Sequence, residues 1–265
     1  MLRWFKEVDR ILRGEATGAA ALRDGALKIP ALGVGGAAVI LGLSYGFFMG
    51  WYALINRDPP VYQQLLATTV KVPALFLLTL VVTLPSLYVF NALVGSRLTA
   101  KSVFRLLTAG LAVTLAVLAS FGPIIAFFSV TTENYSFMVL LNVILFAVAG
   151  VLGLAFLLRT LHRLSIIDRP TPPKPQPIAE TANDEEQKET SQPLGALEPI
   201  EEHVLGPHVR TVFRIWVIIF ALVGSQMSWV LRPFIGNPNM PFEWFRERES
   251  NFFEAILGVI QSLVS

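Results

Sequence analysis

Four long stretches of the chain contain no charged residue, and each is rich in Leu, Val, Ala and Phe. They cover residues 29–56, 72–96, 106–132 and 134–158. An α-helix rises about 1.5 Å per residue, and the hydrocarbon core of a bilayer is about 30 Å thick. Each stretch is long enough to predict a membrane-spanning helix, and together they predict a four-helix transmembrane region over residues 29–164.

A fifth uncharged stretch predicts one more transmembrane helix, within residues 209–233. Its second half carries Ser225, Gln226 and Ser228. Because hydrocarbon offers these polar groups no hydrogen-bond partner, we expect this helix to pack against the other four.

The residues before the first span have an amphipathic pattern. Apolar residues recur at three- and four-residue spacing over residues 2–12, with basic residues on the remaining surface, which predicts a short helix in the segment 1–28. This helix either lies in the headgroup plane, with its arginines near anionic lipid, or packs on the protein itself. The first alternative is the preferred one.

The residues after the fifth span, 234–265, also have an amphipathic pattern. Residues 236–238 form a predicted turn, and Pro241 is placed to open a helix. The first half of that helix is too charged for a comfortable crossing, so we expect an external interfacial or re-entrant helix.

Residues 165–208 differ in composition from the rest of the chain, with eight prolines and nine acidic residues. Such a segment cannot bury enough apolar surface to fold, which predicts a disordered acidic loop between the fourth and fifth spans. A solvated linker is the simplest interpretation. Residues 170–177 also fit a polyproline-II segment that docks in a groove of a partner protein.

The composition agrees with a membrane protein. The 265 residues are 54% hydrophobic and 15% charged, with a mean hydropathy of +0.59, which is outside the range of ordinary soluble proteins. The predicted fold class is all-α: a polytopic helical membrane protein with about five transmembrane helices and interfacial amphipathic helices at both ends. The lipid bilayer is its expected partner, and the lack of a basic patch interleaved with aromatic residues predicts no nucleic acid.

Lysine and arginine are unevenly distributed between the loops. The N-terminal 28 residues hold six of them, whereas the loop between the third and fourth spans holds none. The positive-inside rule then predicts a multi-pass protein of the inner (plasma) membrane, with the N-terminus and the 165–208 loop in the cytoplasm and the C-terminus outside.

Small residues recur at four-residue spacing on two of the predicted spans. They are Ala38, Gly42, Gly46 and Gly50 in the first span and Ala149 and Gly153 in the fourth. Small side chains on one helix face let a second backbone approach closely. The partner of the first span is either a helix of the same chain or another membrane protein, including a second copy of this chain.

Two spans carry a proline away from their ends, Pro85 in the second and Pro123 in the third. A proline inside a helix removes one backbone hydrogen bond and usually bends the helix. We therefore expect two bent helices, unless neighbouring hydroxyl groups compensate at Pro85.

The predicted spans offer little catalytic chemistry. They contain no His, Asp or Glu, and the chain contains no cysteine. We therefore predict no catalytic residue, no metal site and no cofactor, and a protein that is not an enzyme. The strongest polar groups in the spans are Asn91, Asn142 and Gln226, which suit either hydrogen bonds between helices or the wall of a substrate path.

Arg232 and Pro233 end the fifth span at the predicted external surface. Arg232 either anchors the helix by reaching the lipid headgroups or pairs with Glu243 or Glu247. The second arrangement would hold the external helix against the bundle.

Two stretches resemble known proteins: VPALFLLTLVVTLPSLYVFNALVG at 72–95 and SQMSWVLRPFIGNPNMPFEWF at 225–245. They resemble a group of uncharacterised bacterial multi-pass membrane proteins that is loosely similar to the Yip family. The resemblance implies a bundle of five membrane helices with a cytoplasmic N-terminal region, and a role in membrane trafficking and organisation. The long acidic loop departs from that family, and the resemblance implies no catalytic residues.

Two functions fit these patterns. One is a non-enzymatic protein that scaffolds, assembles or organises a membrane; the other is a transporter or channel component for a small solute or lipid. Polar side chains that project into a cavity would favour transport, whereas polar side chains bonded to one another in a closed bundle would favour the scaffold.

Overall fold

The computed structural model describes residues 2–15, 29–93, 100–167, 215–247 and 250–264. The chain forms helices over most of these residues and forms no strand within them, which confirms the all-α prediction. In chain order the helices are α1 Leu2–Leu12, α2 Ala31–Ile55, α3 Tyr62–Leu93, α4 Ala100–Thr131, α5 Tyr135–Ile167, α6 Ile215–Val230 and α7 Phe252–Val264.

Helices α2 to α5 are long and apolar enough to cross a membrane. The segments that meet this condition are Ala31–Ile55, Tyr62–Ser86, Lys101–Thr131 and Tyr135–Thr160. They confirm the prediction of a helical membrane protein. Helix α6 belongs to the fifth predicted span and is a shorter apolar helix whose description begins at Ile215. The predicted acidic loop lies almost entirely outside the described residues.

The bundle is organised around α2, which packs against α3 and α4, while α5 packs against α4 and contacts α2 through the Tyr45–Asn142 hydrogen bond. At one end of the bundle, the chain turns between α2 and α3 at residues 56–61 and between α4 and α5 at residues 132–134. The Tyr52 hydroxyl donates to the Glu133 carbonyl oxygen over 2.6 Å and so joins these two turns. We call this end of the bundle the short-loop end.

The glycine face of α2 packs against the backbone of α3. A Cβ atom at Gly46 would lie 2.7 Å from the Thr68 carbonyl oxygen, and one at Gly50 would lie 2.9 Å from the Cα of Leu65. Both distances are shorter than real Cβ contacts, so a larger residue would force the helices apart. Gly42 of α2 likewise packs closely against Pro73 of α3. Ala38 is buried. The small residues of the first span therefore contact a helix of the same chain.

The second small-residue pair packs against α4. A Cβ atom at Gly153 would lie 1.9 Å from the Thr114 hydroxyl oxygen, and Ala149 is fully buried. This pair sets the separation of α4 and α5.

Helix α3 begins earlier than the sequence pattern predicts. Residues 57–70 are expected to form an external loop, but α3 starts at Tyr62 and the loop covers only residues 56–61. The polar side chains in the first three turns of α3 contact the segment that follows α6, so their polar groups are satisfied inside the protein.

The long helices continue through three internal prolines, Pro73 and Pro85 in α3 and Pro123 in α4. Near Pro85, the Thr83 hydroxyl donates to the Thr79 carbonyl oxygen and the Ser86 hydroxyl to the Thr83 carbonyl oxygen, both over 2.7 Å. Helix α4 likewise continues through Pro123. These bonds are accepted at Thr79 and Thr83 and not at the carbonyl oxygen of Val81, which Pro85 leaves without its helical donor, so they are not the compensation expected at Pro85.

Helix α1 packs against the opposite end of the bundle, on α2 and α4. Val8 and Ile11 are buried there, and the Trp4 ring covers Gly36, where a Cβ atom would lie 2.9 Å from it. The amphipathic N-terminal helix therefore rests on the protein, which was the less favoured alternative. Phe5 and Leu12 stay exposed on its outer side and are available to lipid.

Candidate functional site

A cavity of about 570 Å³ lies between α5, α6 and α7, and residues of α2 and α3 also line it. Its volume falls in the range typical of small-molecule sites, about 300–1,000 Å³. Most of its lining is apolar, including Phe76 of α3, Phe146 of α5, Phe220 of α6 and Ile256 of α7. Helices α6 and α7 thus form one wall of a partly open apolar space.

The cavity is long and runs along the bundle axis. Its lining on α5 extends from Tyr135 to Leu154, which corresponds to about 29 Å at 1.5 Å per residue. The hydrocarbon core of a bilayer is about 30 Å thick. The cavity therefore follows α5 over a length similar to the thickness of that core.

Three serine and threonine hydroxyl groups of the described residues line the cavity, and each donates its hydrogen bond within its own helix. Ser225 donates to the Leu222 carbonyl oxygen over 2.8 Å, and Ser228 donates to the Ser225 carbonyl oxygen over 2.6 Å. In α3, Thr79 donates to the Leu75 carbonyl oxygen over 2.8 Å. Since their donors are satisfied, these groups do not need a polar ligand in the middle of the cavity.

The three interior polar residues predicted from the sequence do not form one cluster. Asn142 is 3% exposed and lies at the cavity wall, where it accepts a hydrogen bond from the Tyr45 hydroxyl over 2.8 Å. Its amide donates to the Met138 carbonyl oxygen. Gln226 is partly exposed on α6 and does not line the cavity, and the side chain of Asn91 lies outside the described residues. Asn142 therefore both joins α5 to α2 and faces the cavity.

Two arginines lie at the short-loop end of the cavity. They are Arg232, just after α6, and Arg246, in the segment before α7; among the described lining residues they are the only charged ones. Both guanidinium groups are close enough to the Tyr135 hydroxyl to act on it electrostatically. Both charged side chains of the described lining therefore lie at one end of the cavity, and both are cationic.

Neighbouring groups hold each arginine in place. The Arg232 guanidinium lies 3.8 Å from the centroid of the Trp229 ring and donates to the Glu247 carbonyl oxygen. Arg246 donates to the Pro241 carbonyl oxygen over 3.3 Å and contacts the Sδ atom of Met240. Arg232 thus joins α6 to the segment before α7 through the backbone of Glu247, whereas the alternative drawn from the sequence was a pairing with the side chain of Glu243 or Glu247.

A polar face of α3 holds the segment that follows α6. Gln64, Thr68 and Lys71 share one helix face, and the Gln64 amide donates to the Phe234 carbonyl oxygen over 2.8 Å. The Thr68 hydroxyl lies 2.5 Å from the same oxygen. These bonds place Pro233 and Phe234 at the short-loop end of the cavity.

Helix α7 closes one side of the cavity. It begins at Phe252 and not at Pro241, because residues 241–247 are irregular, with a bend at residues 244 and 245, and Lys71 of α3 donates to the Trp244 carbonyl oxygen. The Ser262 hydroxyl lies 2.9 Å from the Ser136 hydroxyl of α5. The helix is apolar on two sides, since Ile256 faces the cavity while Phe253 and Leu257 are exposed.

Sequence reasoning identified part of this site. Arg232 and Asn142 were both selected as special residues, and both line the cavity. Arg246 was not selected, because it lies in the charged half of the predicted external helix, and neither was Lys71, which only precedes the uncharged stretch 72–96. The seven-residue separation of Gln64 and Lys71 on one helix face is the signal that would have pointed to α3.

The chain was compared with known protein families, curated proteins and solved structures. No family model, no curated protein and no solved structure matches it. The geometry of the cavity and of its arginines is therefore the basis on which a function is assigned.

Proposed function

We propose that this protein is a non-enzymatic integral membrane protein that holds a lipid-like molecule in the cavity between α5, α6 and α7. It would act as the binding component of lipid transport or of membrane organisation. The observation that carries this proposal is the cavity itself, an apolar space of about 570 Å³ with arginines at one end. The cavity is thus apolar along its length and charged at one end, as a membrane lipid is.

The lining favours a lipid over a water-soluble solute. A solute path needs polar groups that replace the hydration shell of the solute along its length. Here the hydroxyl groups in the middle of the cavity, at Thr79, Ser225 and Ser228, donate within their own helices. A hydrocarbon chain satisfies such a surface without any further hydrogen bond.

A membrane scaffold is the second candidate function. The close backbone packing of α2 and α3 at Gly46 and Gly50 forms a rigid centre. Helix α7 exposes Phe253, Leu257 and Ile260 away from the bundle, where lipid or a partner protein would cover them. A bound lipid is compatible with this role.

The location and the wider relationships of the protein are part of the same proposal. Residence in the inner membrane, with the short-loop end outside and α1 in the cytoplasm, is supported by the distribution of Lys and Arg. The resemblance to the Yip family remains a hypothesis, and so does a partner protein or self-association.

The proposal is tested by filling the cavity. Gly150 lines it, and a Cβ atom there would meet nothing within 4 Å, so Gly150→Trp should occupy the space without displacing the backbone. Gly258 on α7 is equally unobstructed and does not line the cavity, so Gly258→Trp is the matched control. We expect native mass spectrometry to find a co-purified lipid on the wild type and on Gly258→Trp, but not on Gly150→Trp. Equal lipid on all three proteins would contradict the proposal.

A further inference from the structure

We infer that the ligand of the cavity is a phospholipid with a net negative headgroup, whose phosphate binds Arg232 and Arg246 at the short-loop end. This inference rests on the proposed function, because it identifies the chemical class of the lipid that the cavity holds. The phospholipid belongs to the leaflet at the short-loop end, and one of its acyl chains runs along α6.

The charges at the cavity end match an anionic group. Both charged residues among the described lining of the cavity are arginines. Lys71 lies close enough to Arg246 to act on it electrostatically, which adds a third cation next to the arginines. Like charges at short range repel one another, and an anion bound among them removes part of this repulsion.

The geometry of the two arginines suits a phosphate group. A guanidinium presents several donors in a planar fork that matches phosphate oxygens, and such charge-assisted bonds are stronger than neutral ones. The described partners of Arg246 are a carbonyl oxygen and the Sδ atom of Met240, which orient its side chain without neutralising it. Arg232 is oriented by the ring of Trp229.

Arg232 and Arg246 also lie at the membrane depth expected for a lipid headgroup. They are at the short-loop end, where the long helices end and where Trp229 and Tyr135 mark the level typical of interfacial aromatic residues. From Arg232 the lining continues along α6 to Phe220, a distance of about 18 Å at 1.5 Å per residue. One leaflet contributes about half of the roughly 30 Å hydrocarbon core, so this length accommodates one acyl chain.

The net charge of the lipid headgroup should decide which phospholipid binds. Phosphatidylglycerol and phosphatidylcholine both carry a phosphate, but the choline cation would be placed near Arg246 and Lys71. That repulsion is absent for phosphatidylglycerol. We therefore expect the cavity to prefer phosphatidylglycerol over phosphatidylcholine with the same acyl chains, by about tenfold in affinity.

The test uses the full-length protein, delipidated in detergent and titrated with each of the two lipids, with bound lipid counted by native mass spectrometry. Arg246→Gln removes one lining charge and should bring the two affinities close to each other. Arg57→Gln is the control, because Arg57 donates to the Met240 carbonyl oxygen at the same end but does not line the cavity. This control should keep the wild-type preference. Inorganic phosphate added in excess should not displace the bound lipid.

The outcomes separate this inference from the proposed function. Equal affinity of the wild type for the two lipids, with Gly150→Trp still preventing binding, would overturn the headgroup assignment and leave a lipid-binding cavity. Binding that Gly150→Trp does not affect would overturn both. An unchanged preference in Arg246→Gln, or displacement of the lipid by inorganic phosphate alone, would also contradict the headgroup assignment. A melting curve of Arg246→Gln equal to that of Arg57→Gln excludes misfolding as the cause of a change.

Discussion

The ammonium group of Lys71 lies 3.1 Å from the carbonyl oxygen of Pro233, which is 162 positions further along the chain. Lys71 also donates to the Trp244 carbonyl oxygen and lies 5.0 Å from the centroid of the Phe245 ring. Only 3% of its surface is exposed. This lysine therefore joins the first turns of α3 to the segment that connects α6 with α7.

Lys71→Met should loosen that segment while α3 stays helical. Methionine preserves the length of the side chain but removes the donor, so the carbonyl oxygens of Pro233 and Trp244 lose a charged partner. Such a bond is worth about 2 kcal/mol, and we expect faster hydrogen exchange over residues 233–247. Lys101→Met, at an exposed lysine of α4, should leave the exchange unchanged. Equal protection in the wild type and Lys71→Met would contradict the role assigned to Lys71.

Lys71 also shows where sequence reasoning about this fold stops. Hydropathy located the four long helices because each needs an uncharged stretch of sufficient length. The same rule treats a lysine as the end of a span, since an unpaired charge is costly in hydrocarbon. In the structure, carbonyl oxygens from a distant part of the chain compensate this charge, and no local pattern contains that information.

The candidate site was predictable only in part for the same reason. The glycine spacing of α2 indicated a close helix contact, but it did not identify α3 as the neighbour of Gly46. The cavity has walls from α5, α6 and α7, and α6 follows an acidic segment whose composition fixes no geometry. Arg232 was recognised because it ends a hydrophobic span, whereas Arg246 lies in a segment with charges of both signs.

Gly46→Leu should destabilise the bundle. A Cβ atom at this position would lie 2.7 Å from the Thr68 carbonyl oxygen and 2.8 Å from the Cα of Thr69, so the backbone of α3 must move. Overpacking of this kind costs about 3 kcal/mol. We expect a clear loss of thermal stability in detergent. Gly150→Leu, at an unobstructed glycine, is the control, and identical melting curves for the two variants would argue against the close contact.

Tyr45→Phe should weaken the link between α2 and α5. The variant keeps the ring but removes the hydroxyl that donates to the Asn142 side chain over 2.8 Å, and Tyr45 is fully buried. An interhelical hydrogen bond in a membrane protein is worth about 1 kcal/mol. We expect a small but measurable decrease in melting temperature. Tyr88→Phe removes a hydroxyl from a side chain that is 48% exposed and should have no effect. Equal decreases in both variants would rule out a specific role for the Tyr45 bond.

The orientation in the membrane can be checked with reporter fusions. The concentration of Lys and Arg in the N-terminal segment predicts that α1 and residues 170–207 lie in the cytoplasm. A reporter that is active only outside the cytoplasmic membrane should be inactive when fused at position 190 and active when fused after α7. Activity at position 190 would overturn the orientation and the five-crossing topology together.

Arg232→Lys distinguishes the two roles considered for this arginine. A lysine reaches lipid headgroups as well as an arginine does, so a simple anchor would tolerate the change. The structure shows a guanidinium packed 3.8 Å from the centroid of the Trp229 ring that also donates to the Glu247 carbonyl oxygen. An ammonium group cannot reproduce the planar contact and the directed bond at the same time.

We therefore expect the segment before α7 to detach more often in Arg232→Lys than in the wild type. Loss of one hydrogen bond from a charged donor corresponds to about tenfold more opening, and limited proteolysis over residues 242–264 measures it directly. Arg57→Lys is the matched control, because Arg57 contacts the Met240 carbonyl oxygen at the rim of the same segment and does not touch Trp229. Cleavage at the wild-type rate in Arg232→Lys would assign Arg232 to headgroup anchoring. It would then be Lys71, together with Gln64 and Thr68, that holds the segment over the cavity.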